Sequence, residues 1–327
     1  MNKSQGLNSK NSRRLPVGLQ ASSHTIRAEM NADITEVDLG GDIDSAKGKD
    51  DTVKIDEPKT KGVNKDITIL SAKSFKTFDV TTVPKNAFMI VIASRRSGKS
   101  HLITHFLEEY TSKNKVDGVF LFSKTNAGFE GIPSNYRYRD LDILPSIIDT
   151  QLRVKKHNET SKKRDKIESN IIIVLDDMLG AGGMASIMRK DPLLNKLSSN
   201  GRHLSSSHSN LMVILISQTF TGISPQIRLN TDLLLTTKLA ARLEREKIVN
   251  SFLSLNSGRQ GLSESYGVFD SIVNSDDFNF IAIHTTHQNK KKFTDYVYNF
   301  KAPSKLKNKK LTGNREDWKF NKKEIIF

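Results

Sequence analysis

Cysteine is absent from the 327 residues, so disulfides, cysteine zinc sites and thiol nucleophiles are excluded. Long hydrophobic runs are lacking too. The longest, Ala87–Ala93, has the length of a buried strand and falls well short of the roughly 20 residues of a membrane span. Residues 1–14 carry basic side chains but no apolar stretch, unlike a secretory signal. We therefore expect a soluble, intracellular protein without a membrane span.

Acidic residues are scarce relative to basic ones, at 36 against 51, which gives a formal net charge of +15. Residues 1–66 hold 11 of each sign, so the whole surplus lies in residues 67–327. An excess of this size indicates a polyanionic partner, with nucleic acid first and an acidic membrane surface second.

Composition also predicts the domain organisation. Residues 1–66 are rich in Ser, Asn, Asp, Lys and Gly, show no lasting apolar periodicity, and are predicted to be a disordered polar tail. Residues 67–300 are predicted to form one folded domain. Residues 301–327 contain nine Lys or Arg and three Asp or Glu, and are predicted to be a basic C-terminal tail.

Unbroken runs of Ile, Leu, Val and Phe alternate with helix-like segments, which predicts an α/β fold with a mostly parallel sheet flanked by helices. The predicted strands are Phe88–Ile92, Gly118–Phe122, Ile171–Leu175, Leu211–Ile216, Leu233–Thr237, Phe280–Thr285 and Thr294–Phe300. The predicted helices lie at about 100–112, 140–157, 185–199 and 240–255. Ile67–Leu70 and Phe75–Val80 are predicted to form a short hairpin that leads into this sheet.

The most specific motif follows the strand Phe88–Ile92 and precedes the first helix. It reads Ala93, Ser94, Arg95, Arg96, Ser97, Gly98, Lys99, Ser100, and the helix continues with His101. A strand, a loop ending in Gly-Lys-Ser and a helix are the context of a Walker A phosphate loop. Loop N–H groups and Lys99 would bind the phosphates of ATP, and the Ser100 hydroxyl would be a ligand of Mg²⁺. The motif usually begins with glycine, and Ala93 is suitable if its φ stays negative.

A second strand, Ile171–Leu175, ends in two acids. Buried carboxylates are costly unless they serve a function. After a phosphate loop, the first acid of such a pair, Asp176, is expected to hold Mg²⁺, and the second, Asp177, to orient and polarise the attacking water. Glutamate is commoner in that second role.

A third buried strand, Leu211–Ile216, ends in Ser217 and Gln218, and polar residues surround it in a distinctive order. The segments are 201–203 (Gly-Arg-His), 217–219 (Ser-Gln-Thr), 224–231 (Ser-Pro-Gln-Ile-Arg-Leu-Asn-Thr) and 232–235 (Asp-Leu-Leu-Leu). Between Phe88 and Thr237, this order resembles the genome-packaging ATPases of nucleocytoplasmic large DNA viruses and their relatives, a branch of the FtsK–HerA superfamily.

The resemblance implies a RecA-like (ASCE) P-loop NTPase core, with an added strand between the Walker A and Walker B strands. It also implies a homo-oligomeric ring, hydrolysis of ATP with Mg²⁺ and translocation of double-stranded DNA. Gln218 matches the family's polar residue after Walker B. Arg202 is the best match to its trans-acting arginine, with Arg228 in reserve. A packaging motor would have capsid or vertex proteins as partners, and would work in the host cytoplasm or virus factory, or in the virion.

Alternatives remain open at this point. The core motifs also fit another DNA pump or a helicase of the same superfamily, and a non-hydrolysing P-loop assembly protein belongs to a different class. A basic run at residues 153–166 is either a solvated face or a DNA-facing one. Because the sequence contains no zinc finger or RNA-binding signature, we expect any DNA contact to be with phosphates and independent of sequence.

Overall fold

The computed structural model describes residues 70–125, 128–178, 192–253, 259–286 and 290–311. By its contacts the chain divides into residues 1–62 and 63–327, and the first unit lies wholly outside the described ranges. The predicted disordered tail, residues 1–66, therefore stays a prediction.

One eight-stranded, mostly parallel sheet organises the fold, which confirms the predicted fold class. Its strands are β1 (Phe88–Ile92), β2 (Gly118–Ser123), β3 (Arg137–Tyr138), β4 (Ser169–Asp176), β5 (Ser209–Ser217), β6 (Leu233–Thr236), β7 (Phe280–His284) and β8 (Val297–Phe300). Their order is β3-β2-β4-β5-β1-β6-β7-β8. Neighbours from β3 to β6 run parallel, and β7 is antiparallel to both β6 and β8. Strand β5 thus lies between β1 and β4, where the resemblance places an added strand.

Helices flank this sheet. They are α1 (Lys99–Lys113), α2 (Leu144–Thr160), α3 (Pro192–Asn200), α4 (Pro225–Leu229), α5 (Arg242–Ile248), α6 (Arg259–Val273) and α7 (Phe293–Tyr296). Every residue of β1, β2 and β6 is buried, as expected for strands covered on both faces. Within the described ranges, no helix is both long and apolar enough to span a bilayer.

Three of the predicted elements differ from the structure. Phe75–Val80 is not a β-strand. Its backbone instead contacts β8, where Phe78 N donates to Asn299 O at 2.8 Å. Residues 67–69 lie outside the described ranges. The start of the predicted strand Thr294–Phe300 is the one-turn helix α7. The predicted helix at 240–255 ends its α-helical part at Ile248 and continues as a π-turn, Val249–Leu253.

The sequence-based account missed α6, although the spacing of Leu262, Phe269 and Ile272 is helical. It also missed the two-residue strand β3. The first part of the predicted helix at 185–199 falls outside the described residues, and α3 covers the rest.

Residues 301–311, named here the C-terminal strap, lie along α1. The buried carboxylate of Glu108 accepts hydrogen bonds from Lys307 N at 3.0 Å and Lys309 N at 3.1 Å. Leu311 is 1 % exposed, and its N–H donates to Gly131 O at 2.6 Å. The first part of the predicted basic tail therefore packs on the domain, and residues 312–327 lie outside the described ranges.

Candidate nucleotide site

The adjacent strands β4, β5 and β1 bring the three sequence motifs to one edge of the sheet. All three run parallel, so their carboxyl ends lie side by side. Asp176 is the last residue of β4, Ser217 is the last residue of β5, and the phosphate loop begins just after β1. In open α/β sheets, ligands bind outside the carboxyl ends of strands, which is where these side chains meet.

The phosphate loop has the backbone features that its sequence requires. Gly98 has φ 82°, a left-handed conformation that glycine adopts readily, and α1 begins at the next residue, Lys99. Ser97 Oγ closes the loop by donating to Ser94 O at 2.7 Å. Ala93 is not among the described residues with positive φ, so alanine satisfies the condition set for it. The loop and the helix N-terminus thus form a concave site suited to phosphate.

The two carboxylate oxygens of Asp176 differ in their surroundings. Its Oδ2 accepts from Ser123 Oγ at 3.1 Å, whereas its Oδ1 is buried and accepts no hydrogen bond from any described residue. Burial raises the pKa of this carboxyl, while the Ser123 hydrogen bond and the charge of Lys99 act in the opposite direction. A hard oxygen ligand left without a proton donor beside a phosphate loop fits a divalent cation such as Mg²⁺.

Asp177 and Gln218 contact each other at the ends of neighbouring strands. Gln218 Nε2 donates to Asp177 Oδ2. Asp177 has φ 52°, an uncommon left-handed conformation for a residue other than glycine, while its N–H still donates to Ile216 O at 3.1 Å. The structure therefore brings Asp177, the acid expected to activate water, into contact with Gln218, the polar residue that the family resemblance singled out. Strained backbone of this kind often occurs at functional sites.

Two residues at the start of α1 have additional contacts. The His101 side chain contacts the C-terminal strap, where its Nε2 donates to Pro303 O at 2.7 Å. Gly128 has φ 81°, and a Cβ placed on it would lie 3.1 Å from Ser100 Cβ. Gly128 thus lies directly against the serine expected to bind Mg²⁺.

The two arginine candidates have different surroundings in their own chain. Arg202 pairs with Asp232 at the amino-terminal edge of the sheet, and Asp232 Oδ2 in turn accepts from Phe88 N at 2.8 Å. The length of β1, roughly 15 Å, separates that edge from the loop. Arg228 stacks on the Phe220 ring at 4.8 Å. A role for Arg202 in phosphate chemistry therefore requires a neighbouring subunit.

The sequence-based account missed Ser123 and Gly128. Ser123 ends β2 beside the Walker B strand, so a polar residue after a buried run was its only available signal. The importance of Gly128 rests on its contact with Ser100, which is distant in sequence, and no local pattern indicated it.

No protein-family model matches the chain. An uncharacterized protein, L437, of Acanthamoeba polyphaga mimivirus is 22% identical over 184 residues, which cover 54% of this chain and 61% of L437. The match thus spans about three fifths of that relative's length.

Among solved structures, the chain is similar to the genome packaging NTPase B204 from Sulfolobus turreted icosahedral virus 2, bound to sulfate. The identity is 12%, the match covers 68% of this chain and 100% of B204, and the TM-score is 0.46. It is also similar to the pCW3 conjugation coupling protein TcpA, with 13% identity, 70% and 69% coverage and a TM-score of 0.46.

Proposed function

We propose that this chain is an ATP-hydrolysing motor that translocates double-stranded DNA, with packaging of a viral genome into a capsid as its task. The observation that carries the proposal is the convergence of a phosphate loop, two Walker B acids and Gln218 at the carboxyl ends of β1, β4 and β5. This set provides a phosphate cradle, a cation ligand and a water-orienting pair in one place, as hydrolysis of a phosphoanhydride needs.

Each residue has a distinct part in this proposal. The loop N–H groups and Lys99 hold the β- and γ-phosphates. Asp177 orients the attacking water and withdraws its proton, and the Gln218 amide keeps that carboxylate aimed at the γ-phosphate. Ser100 and Asp176 would hold Mg²⁺, which when bound neutralises charge on the phosphates.

Basic residues at the opposite, amino-terminal edge are the proposed DNA contact. Lys162, Lys163 and Arg164 are exposed just ahead of β4, and the neighbouring acid, Asp165, pairs with Arg164 at 3.6 Å. Each phosphate contact contributes about 0.9 to the slope of log affinity against log salt. Replacing all three cations with alanine should flatten that slope if they bind phosphates. Arg242→Ala, at an exposed site on α5, is the control and should leave it unchanged.

The decisive experiment measures ATP turnover with and without long duplex DNA. A motor that translocates DNA is expected to hydrolyse ATP, and duplex DNA is expected to increase the rate of that hydrolysis. Absence of phosphate release under both conditions would favour the non-hydrolysing assembly protein. Strand separation on a forked substrate would favour a helicase.

The finer parts of the proposal follow from the motif resemblance. They are a homo-oligomeric ring, capsid or vertex proteins as partners, and action in the host cytoplasm or virus factory, or in the virion. Pull-down of the full chain with viral capsid proteins tests the partner, and mass measurement with ATP present tests the ring.

A further inference from the structure

A cavity of about 700 Å³ lies beside the phosphate loop on the side away from the Walker B acids. It is lined by Ser94, Arg95 and Ser97 of the loop, by residues 237–240 after β6, and by residues 273–278, except Ser275, ahead of β7. In the sheet, β4 and β5 lie on one side of β1, and β6 and β7 lie on the other. The loop is therefore flanked by hydrolytic groups on one side and by an open cavity on the other.

A nucleoside triphosphate is long enough to occupy both sides. Its γ-phosphate belongs near Asp177 and Gln218, so its base and ribose must extend from the loop in the other direction. The cavity volume is within the range of small-molecule sites.

Phe278 forms one wall of this cavity and is unusually placed for a phenylalanine. The residue is 62% exposed, and its backbone is left-handed, with φ 57°. Its ring reaches the phosphate loop, because a Cβ built on Gly98 would lie 3.1 Å from Phe278 Cδ1. A bulky residue rarely adopts this conformation. A ring this exposed also contributes little hydrophobic free energy to the stability of the fold.

The next residue, Asn279, fixes the turn that presents this ring. Asn279 is 2% exposed, and its Nδ2 donates to Ile272 O at 2.7 Å and to Ser275 Oγ at 2.8 Å. Thr237 Oγ1 donates to Asn279 O at 2.5 Å. Anchors to α6 and to the end of β6 thus hold Phe278 in a strained, solvent-facing position. Such over-determined strain is characteristic of ligand-binding segments.

We propose that Phe278 is the stacking platform for the nucleotide base, and that the cavity beside the loop receives the nucleoside. This inference rests on the proposed function, since it assumes that the loop binds the phosphates. Every base has a π-face, so one aromatic platform accepts different bases. ATP and GTP should accordingly bind within a few-fold of each other.

The test compares two probes on the full chain by calorimetry, Mg·AMP-PNP and inorganic tripolyphosphate. Phe278→Ala should weaken AMP-PNP binding about 10- to 100-fold and leave tripolyphosphate binding unchanged. Phe278→Asn, which suits a left-handed backbone, should do the same without added strain. Phe278→Trp should retain affinity for AMP-PNP. The fluorescence of the introduced tryptophan should change when AMP-PNP binds but not when tripolyphosphate binds. Leu229→Ala, which removes another exposed apolar side chain, is the control and should bind both probes normally.

The outcomes separate the two proposals. If the parent chain binds tripolyphosphate and the Phe278 variants bind AMP-PNP normally, the platform is wrong and the proposed function stands. An equal loss of both probes would also overturn the platform, because the ring would then only support the loop. If the parent binds neither probe, the proposed function fails as well.

Discussion

Asp176 and Asp232 are buried to the same extent, each 5% exposed, at opposite edges of one sheet, yet their surroundings differ. Both oxygens of Asp232 are paired, one with Phe88 N and one with Arg202. Asp176 has one oxygen bonded to Ser123 and one without a partner among the described residues. A fully paired buried carboxylate stabilises the fold, whereas one with a bare oxygen is costly to bury and is suited to binding a ligand.

Asp117 limits how far this contrast extends. It lies at the amino-terminal edge, accepts from Asn170 N at 2.8 Å, and also has a buried oxygen with no partner among the described residues. A bare oxygen alone therefore does not make a ligand site. The distinction of Asp176 is its place beside the phosphate loop, where Lys99 influences its pKa.

The largest expected effect would show that the amino-terminal edge of the sheet, where Asp232 is fully paired, also contributes to catalysis. If Arg202 completes the site of a neighbouring subunit, Arg202→Ala should reduce ATP turnover by about 10³–10⁵-fold, because its charge stabilises the transition state. The measurement is turnover in mixtures. Arg202→Ala subunits keep their Walker residues, and Lys99→Ala subunits keep their arginine, so co-assembly of the two inactive variants should restore part of the activity. The same mixture with Arg228→Ala tests the reserve candidate.

Asp232→Asn is the matched control, since it breaks the same ion pair and leaves Arg202 in place. For an arginine that acts in trans, both variants lower the melting temperature, but only Arg202→Ala loses turnover. Equal losses of turnover, with no recovery in mixtures, would assign Arg202 a structural role alone.

The next effect concerns the carboxyl-terminal edge. Asp177→Asn should lower the rate of hydrolysis by about 10²–10⁴-fold and leave ATP bound, because the amide cannot accept the proton of water. Lys99→Ala should lose both binding and turnover. Asp165→Asn, the same change at an exposed acid of the opposite edge, is the control and should behave like the parent. Parental turnover by Asp177→Asn would make the base assignment wrong.

The contrast between edges also explains what the sequence could predict. Buried parallel strands are continuous apolar runs, so β1, β2, β4, β5 and β6 were identified, and the motifs that follow β1, β4 and β5 came with them. The contact between Asp177 and Gln218 depends on which strands are neighbours in the sheet. Before the structure, only the family resemblance indicated that order of strands. Contacts with segments distant in sequence define the roles of Glu108, Gly128 and Phe278, and no local sequence pattern predicts those contacts.

A fourth buried carboxylate, Glu108, extends the comparison, because both of its oxygens accept hydrogen bonds from backbone N–H groups of the C-terminal strap. Glu108→Gln should destabilise the domain by about 1–3 kcal/mol, since an amide NH₂ would face a strap N–H donor. Glu109→Gln, on the neighbouring, partly exposed residue that pairs with Lys307, should cost at most about 1 kcal/mol. Denaturant unfolding measures both. Equal stability of the two variants would contradict a structural role for Glu108.

The smallest effect has the opposite sign and occurs at Asp176. Without nucleotide or Mg²⁺, Asp176→Asn should stabilise the protein by about 1 kcal/mol at pH 8, because it removes a buried charge that one hydrogen bond only partly satisfies. Burial raises the folded-state pKa of Asp176 above its ordinary value. Its protonated form thus supports the fold at acid pH, and that support is lost as pH rises through the raised pKa. The advantage of asparagine should therefore be largest above that pKa and shrink as pH falls, which thermal unfolding between pH 4 and pH 8 measures. Asp232→Asn should destabilise at every pH in that range. If Asp176→Asn destabilises as well, the two acids are equivalent, and the bare oxygen of Asp176 is no sign of a cation site.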